Sequence, residues 1–349
     1  MNLSQLLGTE LPLIQAPMAG VQGAALAIAV SEAGGLGSLP AAMLAPQALR
    51  EALQALRVGT RRPFNVNFFC HQPPEPSAER EAAWRARLAP YYAEMGLDPT
   101  AVTASAGRQP FSAAVAELLE AFRPAVVSFH FGLPAPDLLA RLRSWGARIL
   151  STATTLDEAR WLEVQGVDAV IAQGLEAGGH RGMFLSDDLA SQVGTLALVP
   201  QLVRALRVPV IAAGGIADAC GVAAVMALGA AGAQVGTAYL LCSEASTSAL
   251  HRAALQAEAM PLTALTNVFS GRPARGIVNR AMQELGPLCD AAPDFPLAAM
   301  AMAPLRAAAE ARGSADFSPL WSGQNSRGCR PIPAGQLTRE LASGLPRRA

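Results

Sequence analysis

Lysine does not occur in this chain of 349 residues; all 27 basic side chains are arginines. That absence excludes a Schiff-base aldolase, a pyridoxal-phosphate enzyme and a Walker-type nucleotide site, each of which needs a lysine at a defined place. An anionic ligand must instead be held by backbone N–H groups, helix N-termini or arginine. Acidic residues also number 27 and no basic run exceeds a pair, so nucleic acid is not expected as a partner. No apolar run reaches the ~18 residues of a membrane span, and the first residues lack the basic region and apolar stretch of a secretory signal. A soluble, cytoplasmic protein without a membrane partner is expected. The five cysteines are odd in number, widely spaced and free of any CxxC pair, so neither a disulfide framework nor a metal site is expected. Tyrosine and tryptophan are scarce beside abundant alanine and leucine, which favours helices.

Half of the residues are apolar (51%), enough for a large core. Eight short apolar runs, at 13–16, 35–38, 64–69, 125–129, 148–151, 169–172, 209–212 and 234–236, read as strands. Helix-like stretches at 24–33, 46–56, 137–145, 156–165, 196–206 and 217–228 lie between most of them. This alternation predicts an α/β fold with a parallel sheet, and eight repeats predict closure into a (β/α)8 TIM barrel. An open doubly wound sheet is the alternative, but PMAG follows the first strand where that fold carries GxGxxG. After Thr237 the alternation breaks: a helical stretch at 247–259 leads to VFSGRPARGIVNR at 268–280. The expected organisation is a barrel domain over 1–239, a small inserted second domain over the barrel mouth at 240–285, and a return to the barrel over 286–349. That return includes a final alanine-rich helix at 298–312. The loop-like segment 319–333 carries Trp321 as a packing anchor or a lid over the site.

In such a barrel the functional face lies at the C-terminal ends of the strands, where the distinctive residues fall. QGLEAGGHRG at 173–182 sets one of only four histidines, His180, among glycines that let backbone approach a ligand. Its plain alternative is a glycine-rich turn with a solvated histidine. His130 closes the fourth strand, as a second donor at the site or as a capped histidine at a strand end. His71 and His251 are assigned to surface or packing roles, and Arg181 to a structural salt bridge. Gly178 and Gly179, Gly214 and Gly215, and the strand-eight end Gln234, Val235, Gly236 and Thr237 suggest a phosphate cradle. Flavin mononucleotide suits it: one phosphate for the cradle, and a ring lying against Ala16, Pro17 and Met18. Asn67 and Gln173 would supply amides to the polar ring edge. A sugar-phosphate substrate in the same cradle is the alternative. Ser270 and Arg272, on the inserted segment, are candidates for closing over substrate.

These segments also carry a resemblance. APMAG at 16–20, NVNFF at 65–69, SFHFG at 128–132, the 173–182 loop, AAGGI at 212–216, QVGTAY at 234–239, FSGRPARG at 269–276 and LWSGQ at 320–324 resemble the nitronate monooxygenases, formerly 2-nitropropane dioxygenases, most closely their class I branch. The resemblance runs nearly end to end. It implies noncovalent FMN held by Asn67, Gln173, Gly178, Gly215, Gln234, Gly236 and Thr237, with His180 facing the flavin. It further implies oxidation of alkyl nitronates, such as propionate 3-nitronate, and of some nitroalkanes with O2, through a flavin semiquinone, to carbonyl compounds and nitrite. His180 would pair with the nitro oxygens or take the α-proton of a nitroalkane. Two other readings stay open: an FMN-dependent NAD(P)H reductase of the quinone or enoyl-acyl-carrier-protein type, and a noncatalytic FMN-binding protein. A monomer and a homodimer fit equally.

Overall fold

Short apolar runs buried along nearly their whole length dictate the architecture of the computed structural model, which describes residues 2–99 and 108–346. Among the described residues eleven strands form, in chain order β1 (Leu13–Gln15), β2 (Gly37–Pro40), β3 (Phe64–Phe69), β4 (Val126–His130), β5 (Arg148–Ala153), β6 (Ala169–Gln173), β7 (Gly179–His180), β8 (Val210–Ala213), β9 (Gly232–Val235), β10 (Thr263–Thr266) and β11 (Ala274–Ile277). Eight of them pair in parallel in the order β1-β9-β8-β6-β5-β4-β3-β2. A bridge between Ile14 and Leu36 closes the ring from β1 to β2, with Gln15 N donating to Leu36 O at 3.0 Å and Leu36 N to Leu13 O at 2.8 Å. The fold is a (β/α)8 TIM barrel, and all eight expected strands are members of it.

The period of two along each strand divides the core. Ile14, Val126, Leu150, Ile171 and Ile211 cluster with Leu3 and Leu7 of the short N-terminal helix, filling the barrel. Their neighbours Leu13, Val127, Ile149, Val170 and Ala212 belong to the larger cluster shared with the surrounding helices. Strands buried on both faces read as nearly continuous apolar runs, which is why they stand out in the sequence. Helix starts are fixed locally: Pro46 opens Pro46–Gly59, and the Asp218 carboxylate accepts from Gly221 N at 2.8 Å. No helix among the described residues is long and apolar enough to cross a membrane.

A second core sits apart from the barrel. Trp84, Leu88, Tyr92 and Met95 of helix Ala78–Met95 pack with Val268, Phe269, Met282, Met302, Leu305 and Phe317. Trp84 Nε1 donates to Ala298 O at 3.2 Å and the Tyr92 hydroxyl to Ala301 O at 2.6 Å, tying that helix to Ala298–Ala311. The layer therefore draws on Ala78–Met95 and Ala298–Ala311 as well as the 240–285 stretch. Helix Ala298–Ala311 is not the last one, since Ala334–Ala342 follows it, and its apolar face packs with Trp84 and Leu88 rather than on the barrel exterior. The return to the barrel is made by Ala334–Ala342, which packs on Ala24–Glu32 and Ala219–Ala227. A small antiparallel sheet, β10-β11-β7, joins this layer to the barrel mouth and sets His180 opposite Ala274.

Candidate active site

The loop after β6 is held from below by side chains at strand ends. Gln173 Nε2 donates to His180 O at 2.9 Å, and its Oε1 accepts from Gly182 N at 2.8 Å. His130 Nε2 lies 3.1 Å from the same carbonyl and must donate to it, so Nδ1 accepts from Thr152 Oγ1, also at 3.1 Å. Both ring nitrogens of His130 are thus engaged, Nε2 with the His180 loop and Nδ1 with Thr152 of β5, although the ring lines the cavity. Arg181 turns inward and is fully buried, donating to Gln192 Oε1, Gly174 O and Gln173 O at 2.7–3.0 Å. The expected salt bridge is not what it makes. A guanidinium with five fixed donors suits the carbonyls of a tight turn, and these take the place of a carboxylate.

His180 itself is half-buried at the cavity, ringed by Phe69, Phe131, Phe295 and Trp321 with centroids 5.3–6.3 Å away. Its Nε2 is 2.8 Å from Ser270 Oγ. Burial, reinforced by the charge of Arg108, holds this imidazole well below its ordinary value of 6.5. It is therefore neutral at neutral pH. Burial also pushes His130 and His251 down to about 4. A histidine buried neutral contributes stability that is complete above its unfolded value and lost as pH falls toward the folded one. We accordingly expect the melting temperature to drop by several degrees between pH 6.5 and 5, where most carboxylates are still ionised. A flat melting temperature across that window would contradict neutral burial.

A glycine cradle lines the same cavity. Gly214 and Gly215 adopt φ of 117° and 73°, a left-handed turn that bares the backbone after β8. A Cβ on Gly178 would lie 2.5 Å from Gly323 N, and one on Gly236 3.3 Å from the Ala16 Cβ, so the strand ends approach only because these side chains are missing. Ala16, Pro17, Met18, Asn67, Gly179 and Thr237 also line the cavity, which measures about 240 Å3. Gln234 lines it too, with a buried Oε1 that has no hydrogen-bond partner. Such an orphan acceptor is costly unless a ligand donor meets it. Asn67 spends Nδ2 on Ser128 O and Oγ at 3.2 and 3.0 Å. Val235 does not reach the cavity: it is buried on the helix side and only its carbonyl serves, accepting from Ala16 N at 2.8 Å.

Ser270 and Arg272 stop short of the cavity. Ser270 reaches the His180 ring, and Arg272 donates to Met183 O and stacks 4.4 Å over Phe131. Trp321 lines the cavity, and residues outside the expected set complete the site: Arg108, His251, Arg306, Gly323 and Asn325. Gly323 N donates to Thr237 Oγ1 at 2.9 Å, Gln324 N to Glu176 O at 3.0 Å and Asn325 Nδ2 to Gly215 O at 3.1 Å, so the 322–325 segment forms part of the cradle. His251 is buried rather than superficial. Its Nε2 and Arg108 Nη1 have no hydrogen-bond partner. No carboxylate lines the cavity among the described residues.

A (β/α)8 barrel whose strand ends converge on an acid-free, glycine-cradled cavity with a neutral histidine defines an enzyme of small molecules. The chain matches the family model for nitronate monooxygenase over residues 1–344. It is 44% identical to the nitronate monooxygenase of Pseudomonas aeruginosa, with 99% of each chain covered. The solved structure of a nitroalkane oxidase from Streptomyces ansochromogenes is similar with a TM-score of 0.88 at 42% identity, covering 98% of this chain and 97% of that one. FabK from Thermotoga maritima is similar with a TM-score of 0.72 at 27% identity, covering 98% and 94%. The chain belongs to the nitronate monooxygenase family and is an oxidoreductase.

Proposed function

We propose that this protein is an FMN-dependent nitronate monooxygenase that oxidises alkyl nitronates with O2 to carbonyl compounds and nitrite, with propionate 3-nitronate and some neutral nitroalkanes among its substrates. The observation that carries this reading is a single cavity that brings together a glycine cradle, an unpaired Gln234 Oε1, neutral His180 and Arg108. The cradle suits a flavin phosphate, held by the backbone of Gly178, Gly179, Gly214, Gly215, Gly236 and Thr237. Ala16, Pro17 and Met18 would bear the ring. Asn67 Oδ1, the remaining N–H of Gln173 and Gln234 would meet its polar edge. When bound, the flavin supplies the electron chemistry between nitronate and dioxygen.

The chain's own residues do the rest. Arg108, whose Nη1 has no hydrogen-bond partner, attracts the anionic nitronate, while the exposed Arg306 is ion-paired with Glu310 at 2.8 Å. The aromatic ring around His180 excludes water and orients the alkyl part. Neutral His180 accepts the α-proton when the substrate arrives as a nitroalkane, and His130 and Gln173 fix the backbone that carries it.

The likeness to FabK favours a second reading, a flavin-dependent reductase fed by a nicotinamide nucleotide. One experiment separates them. Purified yellow protein given ethyl nitronate in air is expected to consume O2 and release nitrite with no nicotinamide present. Rapid bleaching by NADH together with no nitrite release would support the reductase instead.

A further inference from the structure

Ser270 is 1% exposed and is the hydrogen-bond partner of the His180 ring, which Phe295 and Trp321 also flank. Its hydroxyl has two directions available: toward His180 Nε2 at 2.8 Å and toward Arg272 O at 3.4 Å. A carbonyl can only accept, so a hydroxyl hydrogen aimed at Arg272 O leaves an oxygen lone pair for an N–H from the ring. His180 Nδ1 has no hydrogen-bond partner among the described residues, and His180 lines the cavity while Ser270 does not.

Building on the activity proposed above, we infer that Ser270 is a positioning residue that fixes His180 as the Nε2–H tautomer and so makes Nδ1 the proton-accepting atom. In the step itself the Cα–H bond of the nitroalkane breaks and its proton passes to Nδ1. The electron pair stays on carbon and spreads into the nitro group. Nε2 keeps its own proton on Ser270 Oγ, whose hydrogen remains directed at Arg272 O. The resulting imidazolium donates to an oxygen already in place, so no neighbour need rearrange as charge develops.

With four histidines in the chain, the tautomer can be read directly. Holoenzyme labelled with 15N in its histidine rings is expected to give a His180 signal protonated at Nε2, identified by its loss in His180→Asn. In Ser270→Ala that signal should become a mixture of tautomers, and kcat/KM for nitroethane should fall on the order of tenfold, the scale of a lost hydrogen bond to a charged group. The loss on pre-formed ethyl nitronate should be smaller. Ser270→Thr, which keeps the hydroxyl, should restore both the tautomer and the nitroethane rate. The charged and titratable neighbours Arg108, His130, Arg272 and His71 are the same in all three proteins, and FMN absorbance and melting temperature are followed in each.

Three results would overturn the assignment. They are a wild-type His180 protonated at Nδ1, an unchanged tautomer in Ser270→Ala, and equal losses on the two substrates without rescue by threonine. If wild-type enzyme turns over neither substrate, the proposed activity falls, and the ring spectra still decide whether Ser270 sets the tautomer.

Discussion

Replacing His180 with asparagine is expected to lower turnover of nitroethane by on the order of 10²-fold or more while lowering turnover of pre-formed ethyl nitronate far less. The difference follows from what each substrate needs. Nitroethane must lose an α-proton before it can give up electron density, whereas the nitronate has already lost it. Asparagine keeps a hydrogen-bonding side chain near Ser270 but accepts no proton near neutral pH. Because burial and Arg108 hold the imidazole well below 6.5, it remains a base across the whole neutral range. Wild-type activity on nitroethane should therefore show no loss attributable to His180 between pH 8 and 6.5. Equal losses on both substrates would mean that His180 binds the anion or tunes the flavin. FMN content belongs in the same measurement, since lost cofactor mimics a lost base.

The second large effect is on cofactor retention. Gly215→Asp is expected to weaken FMN binding on the order of 10²-fold. A carboxylate about 5 Å from a phosphate oxygen at an effective dielectric near 20 costs about 3 kcal/mol. At φ 73° a glycine is at ease, and a Cβ there meets only the Glu176 side chain, its Cβ at 3.4 Å and its Cγ at 3.7 Å, so the site has room for a short side chain. Asparagine and aspartate both tolerate that backbone region better than other residues. Gly215→Asn is therefore the matching control: nearly the same shape, no charge, and FMN retained. Loss of FMN in both variants would attribute the effect to strain, and retention in both would move the phosphate away from Gly215.

The eight barrel strands were legible because strands covered on both faces must be apolar throughout, and the turns after β1, β4, β6, β8 and β9 add a glycine signal. The strand pair that carries His180 was not, since Gly179–His180 is two residues long and depends on a partner almost a hundred positions further on. Helix Ala78–Met95 went unread behind its many charges and Pro90, yet Trp84, Leu88, Tyr91, Tyr92 and Met95 fall at helical spacing and were a usable signal. At the site, glycines, amides and histidines at strand ends could be named because the barrel fixes where strand ends go. Arg108, His251 and Arg306 could not, because they come from segments outside the alternation and no motif marks them. Val235 was grouped with the cradle through its neighbours Gln234 and Gly236, but strand alternation turns it to the other face.

The pairing of Gly323 with Thr237, and of Gln324 with Glu176, has a temporal consequence. A chain emerging from the ribosome presents its N-terminal portion first. All eight barrel strands are complete by Val235, but one side of the cradle arrives almost ninety residues later. A nascent barrel can thus close its sheet long before it can grip a phosphate firmly. On the proposed reading, firm retention of FMN would report that synthesis has passed residue 325, and a chain stopped before Pro319 would lack both this side of the cradle and helix Ala334–Ala342, whose Leu337 and Leu341 belong to the barrel core.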